Sequence, residues 1–401
     1  MTNGLPGRLL QRRENFRRTS FLELFFDLAF IFALTRLSRA LLDDTSLNGG
    51  FQVLLMLAAL WWVWFVTAWS ADWFDPGAPL IVVLLLGVMF GGLLMAAAVP
   101  TAFDEHAMVF AVAYVAIHVG RGALLIPALR GHPLQLRSLR VALWFAISGV
   151  IWVAGAFVAP AREALWAIAV VLEYSHARLR WPFPGLGRST WADLQVNGDH
   201  LSERYQQIFI IALGELILIA GFTYSDSGLD RESTIAFALA FVTAAALARL
   251  YLVPAGTRLG ASIMAAGPTG SKLALLAGYL HLVMIAGILA TSVAMERTID
   301  DPGGEHSAAQ LALGVGGPAL FLTARILLSA VVDTSLPWAR LVGVPAIIVF
   351  GLVSARLPQL ANSAVVAGVL LLIVLVDAMP GLWRFVRRAD ASDAPDQRPH
   401  G

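Results

Sequence analysis

Nine ionisable side chains that stand inside, or at the mouth of, long apolar runs are the candidates for chemistry in this sequence. Glu23 and Asp27, in Phe21-Leu22-Glu23-Leu24-Phe25-Phe26-Asp27-Leu28, are four residues apart and so lie one turn apart on one helix face. Two carboxylates so placed repel unless a proton or cation sits between them or a basic side chain answers them. The spacing therefore points either to a proton or cation site or to ion pairs with Arg121, Arg17 or Arg18. Glu215, in Ile210-Ile211-Ala212-Leu213-Gly214-Glu215, is a lone carboxylate deep in another run, with Arg249 and Arg325 as the available partners. His118 and Arg121 share a face three residues apart; a histidine there suits a proton relay or a packed, hydrogen-bonded core position. His200, Glu203 and Arg204 gather just before the Glu215 run and read as an entrance, part of which is helix capping by Ser202 or Asp199. No spacing of His, Asp and Glu makes a sharp metal motif, although Glu23, Asp27 and His118 are able to converge on an ion. With no Cys, thiolate ligands and thiol nucleophiles are excluded.

The elements that must hold these groups follow from composition. Of 401 residues 58% are hydrophobic and 14% charged, against about 45–50% and about 25% in soluble domains. Such a chain cannot cover its surface with polar groups, so its solvent is lipid. A bilayer core needs roughly 20 apolar residues per helix, and twelve runs qualify, near 21–42, 51–73, 79–99, 106–128, 139–159, 163–177, 204–223, 233–253, 273–294, 309–332, 339–355 and 361–384. With the N-terminus inside, nineteen Lys and Arg fall on the cytoplasmic side and six outside, so both termini are expected in the cytoplasm. A charge at the centre of such a span costs at least about 2.5–3.5 kcal/mol, so an intramembrane ionisable group is a functional candidate by default.

The chain also reads as duplicated. Arg121 and Arg325 are 204 positions apart, as are Glu173 and Asp377, while Phe26-Asp27-Leu28 lies over Gly214-Glu215-Leu216 at an offset of 188. A longer loop around 254–272 absorbs the difference. The expected architecture is an all-α polytopic membrane protein of about twelve transmembrane helices, arranged as two parallel six-helix repeats. Its parts are a basic cytoplasmic segment (1–20), a first repeat (21–177), a cytoplasmic linker (178–202), a second repeat (203–386) and a disordered polar tail (387–401).

The same residues carry a resemblance. Ser20-Phe21-Leu22-Glu23-Leu24-Phe25-Phe26-Asp27-Leu28-Ala29-Phe30, and His200-Leu201-Ser202-Glu203-Arg204-Tyr205 followed by Ile210-Ile211-Ala212-Leu213-Gly214-Glu215, resemble the two main motifs of the bacterial low temperature requirement A family. Trp61-Trp62 with Phe74-Asp75 fits the family pattern after the second span. Leu216 departs from it, since the family commonly has Ser there. The resemblance covers nearly the whole chain. It implies a multipass membrane protein and marks Glu23, Asp27, His200, Glu203, Arg204, Gly214 and Glu215, and it supplies no substrate.

The leading expectation is a proton- or cation-coupled transporter of the cell membrane, with Asp27 and Glu215 as paired sites in the two halves and His118, Arg121 and Arg325 beside them. The alternatives are a non-catalytic membrane factor whose charges are interhelical salt bridges, a passive ion channel, and a lipid-acting enzyme using the His200 group. The chain is read as non-enzymatic, without cofactor or metal. The expected partners are the lipid bilayer and a proton or small cation, not nucleic acid, and the sequence is silent on oligomeric state.

Overall fold

The computed structural model describes residues 9–10, 19–252, 255–332 and 338–392, with the side chains of 255–257 and 380–392 left aside. Among these residues there are thirteen α-helices and no β-sheet. In chain order they are α1 (Phe21–Asp43), α2 (Leu47–Ala71), α3 (Pro79–Ala98), α4 (Ala107–Ala128), α5 (Pro133–Phe157), α6 (Arg162–Arg178), α7 (Gly198–Asp226), α8 (Arg231–Leu252), α9 (Ala255–Ala265), α10 (Gly270–Asp300), α11 (Ala308–Val332), α12 (Trp338–Val353) and α13 (Gln359–Ser392). Each of the twelve expected runs coincides with one long helix. Ten helical segments are long and apolar enough to cross a membrane. The remaining two expected runs, α1 and α6, carry more charge: α1 has Glu23, Asp27, Arg36 and Arg39 along it, and α6 has Arg162, Glu163, Glu173 and Arg178.

Local sequence sets where the helices begin. Ser20 caps α1 in a reciprocal capping box, its hydroxyl accepting from Glu23 N while Glu23 accepts from Ser20 N. Ser46 caps α2 and Asn197 caps α7, while Pro79 and Pro133 occupy the first turns of α3 and α5, where a missing N–H costs nothing. Large apolar side chains such as Phe90, Val150, Phe222 and Val353 point outward. In water that surface would drive aggregation; in lipid it is the expected belt.

Three boundaries differ from the sequence reading. The loop around 254–272 contains α9. The linker is shorter than 178–202, because α7 starts at Gly198, so His200 stands on its first turn rather than in the linker, with Glu203 and Arg204 following on the second. The last helix continues to Ser392, past the boundary at 386, whereas 393–401 and most of the basic segment (1–8 and 11–18) lie outside the described residues. Of that segment, Leu9 is buried and its carbonyl accepts from Asp75 N (2.9 Å) at the α2–α3 turn.

The helices of the two halves touch in matching order. In the first half the neighbours are α1–α2, α1–α3, α3–α4, α4–α5, α5–α6 and α2–α6; in the second they are α7–α8, α7–α10, α10–α11, α11–α12, α12–α13 and α8–α13. The halves meet chiefly where α1 packs on α7 and α10. A close helix approach joins α10 to α11, where a Cβ on Gly317 would stand 2.7 Å from Thr291 Oγ1 and 2.8 Å from Gly287 O. Only glycine fits that contact.

Candidate functional site

The α1–α7 seam gathers most of the singled-out residues. Arg204 grips Asp27 with both ends of its guanidinium, Nη2 to Oδ1 at 2.7 Å and Nη1 to Oδ2 at 2.8 Å. Each side chain is 1% exposed. Trp64 of α2 donates its indole N–H to Asp27 Oδ1 (2.8 Å), and Arg204 Nη1 also reaches Gln207 Oε1 (3.1 Å). Planar fork against planar carboxylate is the strongest geometry available to such a pair.

One turn toward the start of both helices, His200 lies between two acids. Its Nε2 is 3.0 Å from Glu23 Oε1 and its Nδ1 3.2 Å from Asp72 Oδ1. Asp72 ends α2 and also accepts from Asn197 N (2.7 Å), tying the cap of α7 to α2. Both nitrogens donate at once only in the imidazolium form, so Glu23, His200 and Asp72 form one proton-sharing unit. Glu203 accepts from Thr19 N (3.3 Å), and Gln207 donates to Thr19 Oγ1 (2.9 Å), which fastens the start of α1 to α7.

These contacts share a numerical signature. Glu23 with His200 and Asp27 with Arg204 are each 177 residues apart. Ser38, which lies near Glu215, is again 177 before it. A constant difference rather than a constant sum means that α1 and α7 run parallel. Both therefore enter from the same face of the bundle.

Glu215 is 1% exposed and its surroundings differ from those of Asp27. Ser38 and Ser292 lie near it, but their hydroxyls and its Oε1 all lack a hydrogen-bond partner. Arg39, the cation that acts on it, is itself held by Glu296 (2.7 Å). The expected pairings are thus corrected. Asp27 is answered by Arg204, not Arg121, and Glu215 by neither Arg249 nor Arg325. Asp27 and Glu215 do not face each other either: the register puts Glu215 beside Ser38, eleven residues beyond Asp27 on α1, or about 16 Å along the axis. Phe30, Leu34 and Ile208 are buried over that stretch.

His118, Arg121 and Arg325 stand elsewhere. His118 stacks on Phe145 (3.9 Å between centroids), and Arg121 Nη2 donates to Thr67 Oγ1 (2.5 Å). No metal site forms with Glu23 and Asp27, and among the described residues no His, Asp and Glu group is arranged to hold one. Arg325 donates to Leu250 O (3.1 Å) and Ser329 Oγ (2.5 Å). The residues proposed as repeat equivalents also differ in their partners. Glu173 is bound by Tyr114 and Trp152, whereas Asp377 pairs with Arg340 (2.7 Å). Trp64 and Asp72 complete these contacts, and the sequence reading singles out neither. Their positions at and before the end of a buried helix gave no signal of a partner 37 or 128 residues away.

A helical bundle with an apolar outer belt and buried ion pairs between its helices defines a multipass membrane protein. This chain belongs to the bacterial low temperature requirement A (LtrA) family, whose model matches residues 18–375. It is 35% identical over 386 residues to the uncharacterized protein RA0937 of Rhizobium meliloti (strain 1021), covering 94% of this chain and 91% of that one. No solved structure matches.

Proposed function

We propose that the protein is a proton-coupled membrane transporter in which Glu215 carries the proton and the Asp27–Arg204 pair latches the two halves together. The observation that carries this reading is the contrast between two equally buried carboxylates on one seam. Asp27 has a guanidinium fork and an indole N–H. Glu215 has two serines near it and a free oxygen. A locked ion pair is poor at giving up its charge, whereas a carboxylate with exchangeable neighbours is the kind of group that relays protons through membranes. The proton-sharing unit of Glu23, His200 and Asp72 stands at one end of the seam, and Glu296 with Arg39 lies on the far side of Glu215. The apolar stretch of Phe30, Leu34 and Ile208 separates the two groups, so passage requires α1 and α7 to shift against each other.

A duplicated origin supports the same reading. The matching neighbour order of the two halves and the parallel course of α1 and α7 are what two six-helix repeats beginning on one side would produce. Purified protein in liposomes loaded with a pH dye tests the proposal. Under an imposed pH gradient the wild type is expected to move protons, and Glu215→Gln to stop the movement without lowering the melting temperature. Equal movement in both proteins would remove Glu215 from the pathway.

A further inference from the structure

A cavity of about 100 Å³ lies between α2, α4, α5 and the linker, with Ala177 of α6 and Leu275 of α10 completing its wall. At roughly 10–15 Å³ for each water-sized occupant, it has room for roughly seven to ten heavy atoms. Its walls are largely aromatic: Trp62, Phe65 and Trp69 come from α2, Phe145 from α5 and Trp181 from the linker. Its polar groups are cationic or neutral donors. Arg121 lines it at 7% exposure with Nε and Nη1 unpartnered, and His118 lines it at 2% with neither ring nitrogen partnered.

Among the described residues no carboxylate pairs with Arg121. The acid on the neighbouring helix α6, Glu173, is already engaged by Tyr114 and Trp152. A guanidinium buried without a counter-charge is costly, and a ligand that brings the charge removes the cost. The rim adds three cations, of which Arg137 also faces the acids Asp193 and Asp72. Arg137 lies over Trp73 (4.4 Å), and Arg178 and Arg180 lie over Trp191 (5.8 and 5.7 Å) beside the cavity's linker wall. Clustered positive charge at an opening draws anions toward it.

We propose that this cavity binds a small organic monoanion, an aryl or similarly compact carboxylate, with the carboxylate on Arg121 and its apolar body between the tryptophans. The head takes the free Nε and Nη1 donors of Arg121, with His118 beside it. The ring takes the place of water against Trp62, Trp69 and Trp181. Benzoate, with nine heavy atoms, has the size and charge of this class. Binding is read without any flux, so this inference and the transport reading stand or fall separately.

The test titrates 4-fluorobenzoate into the full-length protein in zwitterionic nanodiscs and follows the fluorine resonance by NMR. The expected result is saturable broadening that benzoate reverses, weakened at least tenfold by Arg121→Gln. The neutral 4-fluorobenzyl alcohol is expected to bind at least tenfold more weakly to the wild type and equally to both proteins, a charge dependence that a purely structural Arg121 would not give. Ser138→Phe fills the cavity without touching the guanidinium and is expected to abolish binding, which keeps the test decisive if Arg121→Gln does not fold. Broadening that benzoate does not reverse, or one affinity shared by the wild type and the variants that fold, would overturn the proposal.

Discussion

The Asp27–Arg204 pair offers the sharpest energetic expectation. Both side chains are 1% exposed, so neither charge can turn to water or lipid headgroups when its partner is removed. Asp27→Asn leaves a buried guanidinium with one weak acceptor in place of two ionic ones, and Arg204→Met leaves a buried carboxylate with only the Trp64 N–H. Removing one member of a buried pair costs about 3–5 kcal/mol. Removing both members avoids the stranded charge, so Asp27→Asn with Arg204→Met is expected to be less destabilising than either single change. Trp64→Phe deletes one hydrogen bond to a charged acceptor and is expected to cost about 1.5–3 kcal/mol. Equilibrium unfolding of the wild type, the two single variants and the double variant in mixed micelles, followed by tryptophan fluorescence, reads the pair as a double-mutant cycle, with Trp64→Phe measured beside it. Single substitutions that each cost under about 1 kcal/mol, or costs that simply add in the double variant, would refute the argument that this pair is a desolvated latch.

Other expectations use the same reasoning. Gly317→Val pushes a side chain into Thr291 and the Gly287 carbonyl, so α10 and α11 must part; thermal unfolding should show a loss of about 1–3 kcal/mol. Asp377→Asn weakens the Arg340 pair, but Asp377 is 17% exposed, so denaturation should register about 1–3 kcal/mol, less than for Asp27→Asn. In the linker, hydrogen bonds from the Thr190 backbone N–H hold the Asp193 carboxyl below its ordinary value of 3.8. A carboxylate depressed on folding stabilises above its unfolded value and loses that contribution as pH falls through the folded one. Amide protection over 190–194, corrected for intrinsic exchange, should therefore be flat above about pH 4 and fall below it. Asp193→Asn should reduce that protection at every pH.

Hydropathy and turn chemistry located the helices well, because a run of apolar residues in lipid has little choice but to form one. The start of α7 falls a few residues earlier than expected, so that Asp199 and His200, read as the entrance to the helix and its cap, are part of it. They are helical because Asn197 caps the turn and because α1 and α2 supply carboxylates that make burial of His200 and Arg204 tolerable. The charges worth attention were legible from type and depth, but their partners were not. Arg204 looked like an interfacial residue, and nothing local announces that it reaches Asp27 across 177 positions. Gly214 shows the same limit. A Cβ there would meet nothing within 4 Å, so it serves no close helix approach, whereas Gly317 does and nothing beside it in sequence announces the contact.

The claim that Glu215 moves protons is tested most directly by charge displacement on a solid-supported membrane. Proteoliposomes adsorbed to the sensor receive a pH jump, and the transient current is recorded for the wild type and for Glu215→Gln of equal melting temperature. The account expects a current in the wild type that reverses with the gradient and vanishes in Glu215→Gln. A current of unchanged size in the variant, or none in the wild type for a jump of either sign, would contradict it.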